Sequence, residues 1–398
     1  MLKKKGIFLI ALLVMSLLVF SACSGDKEKP QEQAQENSQQ VDEEVIKIGI
    51  FEPITGANGA GGAMEEEGVR LANKLYPEVL GKKVELVLAD NKSDKVEAAN
   101  AAIRLVEQEK VNAIIGSWGS SLSMAAGSIV KDAQVPAVAA SATNPLVTLG
   151  NDYYFRVCFL DPFQGDVLAR YAAEKLGAKK VAIIKEVSND YAVGLAKFFS
   201  DAFIKYTGDE NAIVAEVNYQ TGDQEFSAQI QAVAKENPDV IFAPGNYTES
   251  ALIIKQAREQ GIDTPFLGGD TWETPEFLQI GGEAVEGVVI STFFSQDFPI
   301  TEESKVFLDA YAEHGQFDEP AAVTALAYDA YLVILDAIER AGSADPVAIR
   351  DALAETKDFE GATGYISFDE NGDAVKDVVM KVVKDNKFVY LDTISPNN

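Results

Sequence analysis

Polar residues gather at the ends of apolar runs in this sequence, and their types limit the chemistry open to the chain. Gly116-Ser117-Trp118-Gly119-Ser120-Ser121 follows the apolar run 113–115 and opens a helical segment. Free backbone N–H groups and the helix dipole make such a start an anion site, and serine hydroxyls add donors. The same Ser120 or Ser121 could simply cap the helix. Ser141-Ala142-Thr143-Asn144-Pro145 offers a hydroxyl and free carbonyls after another apolar run. Three more loops, 188–191, 245–248 and 268–272, bring Tyr191, Asn246, Tyr247 and Trp272 together with two carboxylates, Asp190 and Asp270. Asp190 directly precedes a helical pattern and reads as its cap. Asp270 reads either as a cap or as the acceptor for an ammonium group, because a buried carboxylate needs a cation or donors.

Reactive chemistry has little to work with. The one histidine, His314, stands at a helix end beside Gly315. No Gly-x-Ser-x-Gly, HExxH or CxxC pattern occurs. The loop 52–62 is glycine-rich, but Gly59-x-Gly61 is followed three residues later by Met64, so the dinucleotide fingerprint lacks its last glycine, whatever Asp90 could offer a ribose. Asp369-x-Asn371-x-Asp373 begins like a calcium loop, yet Ala374 stands where glycine is required. No catalytic group, metal or cofactor is expected, and the inventory suits binding rather than bond making.

The elements that must carry these loops alternate. Strands are expected at 45–51, 84–89, 113–115, 136–140, 181–184, 213–218, 240–243, 265–267 and 288–290. Helical periodicity occupies 64–75, 96–107, 121–132, 165–176, 191–206, 226–235, 250–260, 302–314 and 321–340, and Asp345-Pro346 starts another helix. Continuous apolar strands with helical crossovers mean parallel sheets covered on both faces. The tail, 365–368, 378–383 and 388–391, reads as a β-meander with turns at 369–372 and 385–386. Two successive α/β units suggest two lobes, with ligand bound beyond the carboxyl ends of the strands.

Composition sets the setting. The chain has 398 residues, 47% hydrophobic, and a net charge of −28. Such acidity excludes nucleic acid as a partner and favours a soluble monomer. Lys3, Lys4 and Lys5 precede the apolar run 7–20, which has the length of a signal-peptide core. Ser21-Ala22-Cys23 then resembles the lipobox of bacterial lipoproteins, with Phe20 where leucine, valine or isoleucine is usual. That likeness implies a leader over 1–22 and a lipid-anchored, extracytoplasmic chain starting at Cys23. Residues 24–44 are too polar to bury a core and read as a disordered tether. Cys158 has no cysteine partner in the body and reads as a core residue.

Taken together, the motifs resemble the leucine/isoleucine/valine-binding protein family, the type I periplasmic binding proteins of ABC importers. The resemblance rests on IKIGIFEPITG at 46–56, AIIGSWGSS at 113–121, PAVAASATNP at 136–145, NDYAVGLA at 189–196, PDVIFAPGNY at 238–247, PFLGGDTW at 265–272 and TGYISFDENGD at 363–373. It implies two Rossmann-like parallel-sheet lobes around a cleft, 45–161 plus 292–374 and 162–291 plus 375–398. Three crossings are expected near 159–163, 291–294 and 373–377. It also implies an amino-acid ligand passed to ABC permease subunits. Ser120 and Thr143 match the positions that hold the ligand carboxylate. The Ser141 carbonyl and Asp270 match those that meet the ammonium, and Tyr191 matches an aromatic opening a second-lobe helix. The sequence departs at Gly61, where amino-acid binders carry tryptophan, and at Asn246, where they carry tyrosine; Trp118 stands ready to compensate for the first. The alternatives are the same fold holding an aromatic acid, amide or urea, or a ligand-sensing lipoprotein; Asp270 speaks against a purely anionic ligand.

Overall fold

The computed structural model describes residues 45–317 and 319–396; the expected leader, Cys23 and the polar tract lie outside the described residues. The chain first lays down β1 (Ile46–Glu52), α1 (Gly59–Leu75), β2 (Glu78–Val79), β3 (Lys82–Asp90), α2 (Lys95–Ile103), β4 (Ala113–Ile115), α3 (Ser120–Ala133), β5 (Ala137–Ala139) and β6 (Tyr154–Arg156). Their sheet has the order β2-β3-β1-β4-β5-β6, parallel except at the β2–β3 edge. A second series follows: α4 (Asp161–Arg170), β7 (Val181–Glu186), α5 (Asp190–Thr207), β8 (Ile213–Tyr219), α6 (Ser227–Ala234), β9 (Val240–Phe242), α7 (Tyr247–Glu259), β10 (Phe266–Gly268), α8 (Pro275–Gly281) and β11 (Val289–Thr292). The remainder comprises α9 (Glu302–His314), α10 (Ala322–Ala341), α11 (Pro346–Ala354), β12 (Phe359–Gly361), β13 (Gly364–Ile366), β14 (Val378–Lys384) and β15 (Lys387–Ile394). The second sheet runs β15-β14-β11-β10-β9-β7-β8, with β14 and β15 antiparallel.

Both sheets repeat one winding. β1 lies between β3 and β4, and β7 lies between β8 and β9, so each sheet reverses its strand order at one point. Loops leaving such a reversal diverge to opposite faces and open a crevice beyond the strand ends. The loops at 53–58 and 116–119 leave the first crevice, and those at 187–189 and 243–246 leave the second. The strands hold position because they are buried on both faces: Ile46, Ile48, Ile50 and Phe51 of β1 are core, as are Val181, Ala182, Ile183 and Ile184 of β7. The helix α10 is buried nearly all round, packing along α1 and over β4 and β5.

The expected meander is not formed. Tyr365 and Ile366 pair with 359–361 in a separate two-stranded ribbon, while β14 and β15 extend the second sheet. The reason is the run 367–377, which crosses from the first sheet's side to the second and separates those strands. The hairpin turn was legible: Asp385 and Asn386 both take left-handed φ, 51° and 60°, between Lys384 and Lys387. Helix starts were read late. The α4 helix begins at Asp161 with Pro162 in its first turn, and α7 begins at Tyr247 rather than at 250.

One buried knot fixes the loop that follows β5. Arg156 donates from Nε to Asp373 Oδ1 at 2.6 Å, from Nη1 to the carbonyls of Ala142 and Asn144 at 2.5 and 2.9 Å, and from Nη2 to Thr148 Oγ1 at 2.7 Å. The guanidinium therefore grips the carbonyls of both residues flanking Thr143. Removing one partner of a buried ion pair strands the other charge, at about 3–5 kcal/mol. Asp373→Ala should lower the urea unfolding free energy by about that amount; a loss below roughly 1 kcal/mol, the worth of an exposed pair, would show that Arg156 finds water instead.

Candidate functional site

Six of the seven expected ligand-binding residues converge. Trp118, Ser120, Ser141, Tyr191, Asn246 and Asp270, with Gly119, Asn189 and Thr271, line one cavity between the two sets of strand ends. It holds about 10 Å³, room for about one water. Thr143 is not in that lining. Its side chain is buried beside the Asp161 carboxyl, and neither Thr143 Oγ1 nor the Asp161 oxygens receive a well-formed hydrogen bond. A roomier cavity of about 300 Å³ opens beside Glu273 and Lys381. There the two charges pair with each other and Glu273 also accepts from Thr292, so neither is left to address a ligand.

The serine loop does not cap its helix. Gly119 occupies the N-cap of α3 without a side-chain bond. Ser120 Oγ accepts from the N–H of Asn144 at 3.2 Å, and Ser121 Oγ donates to Asp190 at 2.8 Å. The first N–H groups of α3 thus have no capping side chain, and Ser120 lines the cavity. Asp190 is no cap either. Asn189 caps α5 by accepting from the N–H of Tyr191, and Asp190 reaches across to Lys95 at 2.7 Å as well as to Ser121.

Asp270 opens the short turn after β10 and is 4% exposed. Its Oδ1 accepts from Gln164 at 2.6 Å and from the Tyr191 hydroxyl at 2.8 Å. The tyrosine passes over Gly269, where a Cβ would meet its oxygen at 2.0 Å, so only glycine allows this approach. Both donors are neutral. Burial accordingly lifts the Asp270 carboxyl to about 6, and burial with the nearby Asp270 charge lifts the Tyr191 phenol.

The departure at position 61 has a structural counterpart. A Cβ on Gly61 would lie 2.4 Å from the Trp118 indole, so Trp118 fills the place a side chain at 61 would take. Its ring meets Tyr247 edge-on at 6.1 Å. Tyr247 in turn donates to the carbonyl of Ala57 at 3.0 Å and accepts from the N–H of Ala60 at 3.2 Å. Asn246 donates to Asn58 at 2.8 Å, and Asn144 donates to the carbonyl of Asp190 at 3.0 Å. Loops of the first sheet thus bond directly to loops of the second and seal the cavity. Anything larger than water enters only if the two sides part.

Sequence reasoning missed three buried acids beneath these loops. Glu52 ends β1 and accepts from the N–H of Trp118 at 2.7 Å. Glu65 on α1 accepts from the Ser141 hydroxyl. Burial raises both, Glu52 well above its ordinary value and Glu65 to about 7, and raises Asp161 to about 8. A signal existed for Glu65: it precedes Val69 by four residues and Ala72 by seven, placing an acid on the apolar stripe of α1.

Two mostly parallel sheets with a polar crevice between their strand ends define the class, and comparison agrees. The family profile described as Periplasmic binding protein matches residues 45–387. The chain belongs to that family. It is 31% identical to the leucine-, isoleucine-, valine-, threonine- and alanine-binding protein of Pseudomonas aeruginosa, covering 83% of this chain and 87% of that one. Its structure is similar to the leucine binding protein LivK of Thermotoga maritima, with a TM-score of 0.86, 45% identity, and coverage of 89% and 99%. It is also similar to the branched-chain amino acid transporter substrate binding protein LivJ of Streptococcus pneumoniae in complex with isoleucine, with a TM-score of 0.83, 36% identity, and coverage of 89% and 100%.

A raised carboxyl makes a pH-dependent demand on the fold. At acid pH, below the unfolded value of 3.8, Asp270 is protonated in both states and costs nothing. Above its folded value of about 6 it is ionised where the fold prefers it neutral, costing roughly 3 kcal/mol. Asp270→Asn keeps the shape without the charge. Its stability relative to wild type, followed by urea unfolding of ligand-free protein, should therefore rise between about pH 4 and 6 and then level off. Parallel curves across that range would mean the Asp270 carboxylate is already matched.

Proposed function

We propose that this chain is an extracytoplasmic solute-binding lipoprotein of an ABC importer and that its ligand is a branched-chain or similarly small α-amino acid. One observation carries the reading: hydroxyl and N–H donors gather on one side of the crevice, and an acid with only neutral partners faces them from the other. Ser120 and the start of α3 receive the ligand carboxylate, matching anion sites at helix N-termini, and Thr143 reaches it only if its hydroxyl turns from Asp161. Asp270 and the Ser141 carbonyl receive the ammonium, which turns a costly lone carboxylate into a paired one. Tyr191 holds Asp270 in place, Asn246 closes the rim, and Trp118 walls the side-chain pocket where Gly61 leaves room. The ligands named for the Pseudomonas, Thermotoga and pneumococcal relatives support this class.

In this reading the two sheets belong to lobes comprising 45–161 plus 292–374 and 162–291 plus 375–398. The lobes part on the three crossings to admit ligand and close through the Asp190, Asn246 and Tyr247 contacts. Cys23 carries the lipid that tethers the body, and permease subunits take the closed form. A thermal-shift series with leucine, isoleucine, valine, benzoate, acetamide and urea tests the ligand class. An amino acid at a hundred times its dissociation constant should add about 2.7 kcal/mol, whereas benzoate and the amides should add nothing. Stabilisation by benzoate alone would mean that the crevice serves an anion.

A further inference from the structure

Glu52 and Glu65 come from different elements, β1 and α1, and meet beneath the cavity with no exposed surface. Each spends one oxygen on a residue that lines the cavity: Glu52 Oε2 accepts from the Trp118 N–H at 2.7 Å, and Glu65 Oε1 accepts from the Ser141 hydroxyl. The two oxygens left over, Glu52 Oε1 and Glu65 Oε2, have no donor among the described residues. The carboxyl groups are instead in hydrogen-bonding contact with each other. Two carboxylates cannot bond; a carboxylic acid and a carboxylate can, by sharing one proton. Two buried carboxyls in contact, each with an unpartnered oxygen, are the mark of that proton.

The charged and titratable groups facing the pair supply no cation to take its place. Glu66 on α1, Asp270 across the crevice, Tyr154 on β6 and Cys158 beyond it are acids. Arg156, which interacts with the neighbouring Tyr154 and Cys158, is turned to Asp373, Thr148 and the carbonyls of Ala142 and Asn144. A positive charge arriving from outside would therefore be the first to compensate a second ionisation.

We propose that Glu52 and Glu65 are positioning residues, a proton-sharing pair that fixes Ser141 and Trp118 and gives up its proton when a ligand ammonium binds beside Ser141. The inference rests on the amino-acid reading above. The step balances simply: the ammonium arrives charged, one proton leaves a glutamic acid for solvent, and no covalent bond to the ligand changes. Burial raises both groups, Glu65 to about 7 and, with the Glu65 charge beside it, Glu52 well above its ordinary value, so the pair still holds a proton at neutral pH, where Asp270, at about 6, is largely ionised.

Isothermal calorimetry with isoleucine at pH 7, in phosphate and in Tris, reads the proton count from the difference in heat. Wild type should release a fraction of a proton on binding. Glu65→Gln, which still accepts from Ser141 and still bonds Glu52, should bind isoleucine within about tenfold of wild type but release almost none. Glu65→Ala should lose more than tenfold in affinity, because Ser141 loses its anchor. Equal proton release in wild type and Glu65→Gln, or unchanged affinity in Glu65→Ala, overturns the proposal. A carbon-13 carboxyl titration of ligand-free protein keeps the pair testable by itself. A glutamate resonance titrating near neutrality, absent from Glu65→Gln, supports it, and no such resonance in wild type overturns it. Wild type that shows the resonance but does not bind isoleucine would overturn the ligand class and leave the pair standing.

Discussion

The carboxylate of Asp270 is the group around which the molecule is arranged. It sits beyond the end of β10, out of water, and the fold meets it with an amide and a phenol rather than with a lysine or arginine. Neutral donors soften the loss of hydration but do not match the charge. The winding of the two sheets opens the crevice that this group borders. Each sheet reverses its strand order at one place, and the loops released there face one another. An incomplete charge on one side is thereby set against unfilled N–H and hydroxyl donors on the other.

Closure adds the low dielectric that gives those charges their weight. The bonds made by Asp190, Asn246 and Tyr247 join loop to loop around the rim and leave the pocket narrow. Individually they resemble exposed polar contacts worth little. Their effect lies in excluding water, which strengthens every interaction inside. Beneath the pocket the Glu52–Glu65 pair holds Ser141 and Trp118 from behind, and the Arg156 knot holds the loop around Thr143.

Much of this was written in the sequence at the level of pattern. Apolar runs such as 46–51 and 181–184 announced parallel strands, and the polar residues that follow such strands announced the crevice. Six of seven nominated side chains line it, because a loop's place after a buried strand is a local property. What failed were features decided by distant partners. Asp190 was expected to cap its own helix and instead bonds Lys95 and Ser121, far away in the chain. Residues 365–366 were expected to join a meander and instead form a ribbon beside α10, because the segment after them changes sides. Glu52 and Glu65 escaped notice because an acid at a strand end or in an acidic run ordinarily faces water; only tertiary packing buries these two.

If Asp270 is held without a matching charge so that it can receive an ammonium group, calorimetric titration of isoleucine into wild type and Asp270→Asn will show it. The variant keeps the shape and both donors' neighbours but offers no charge. The account predicts a loss of affinity of two or more orders of magnitude, the consequence of removing one partner of a buried charge pair at about 3–5 kcal/mol. A loss below about tenfold would contradict it and place the ligand's charge elsewhere in the crevice.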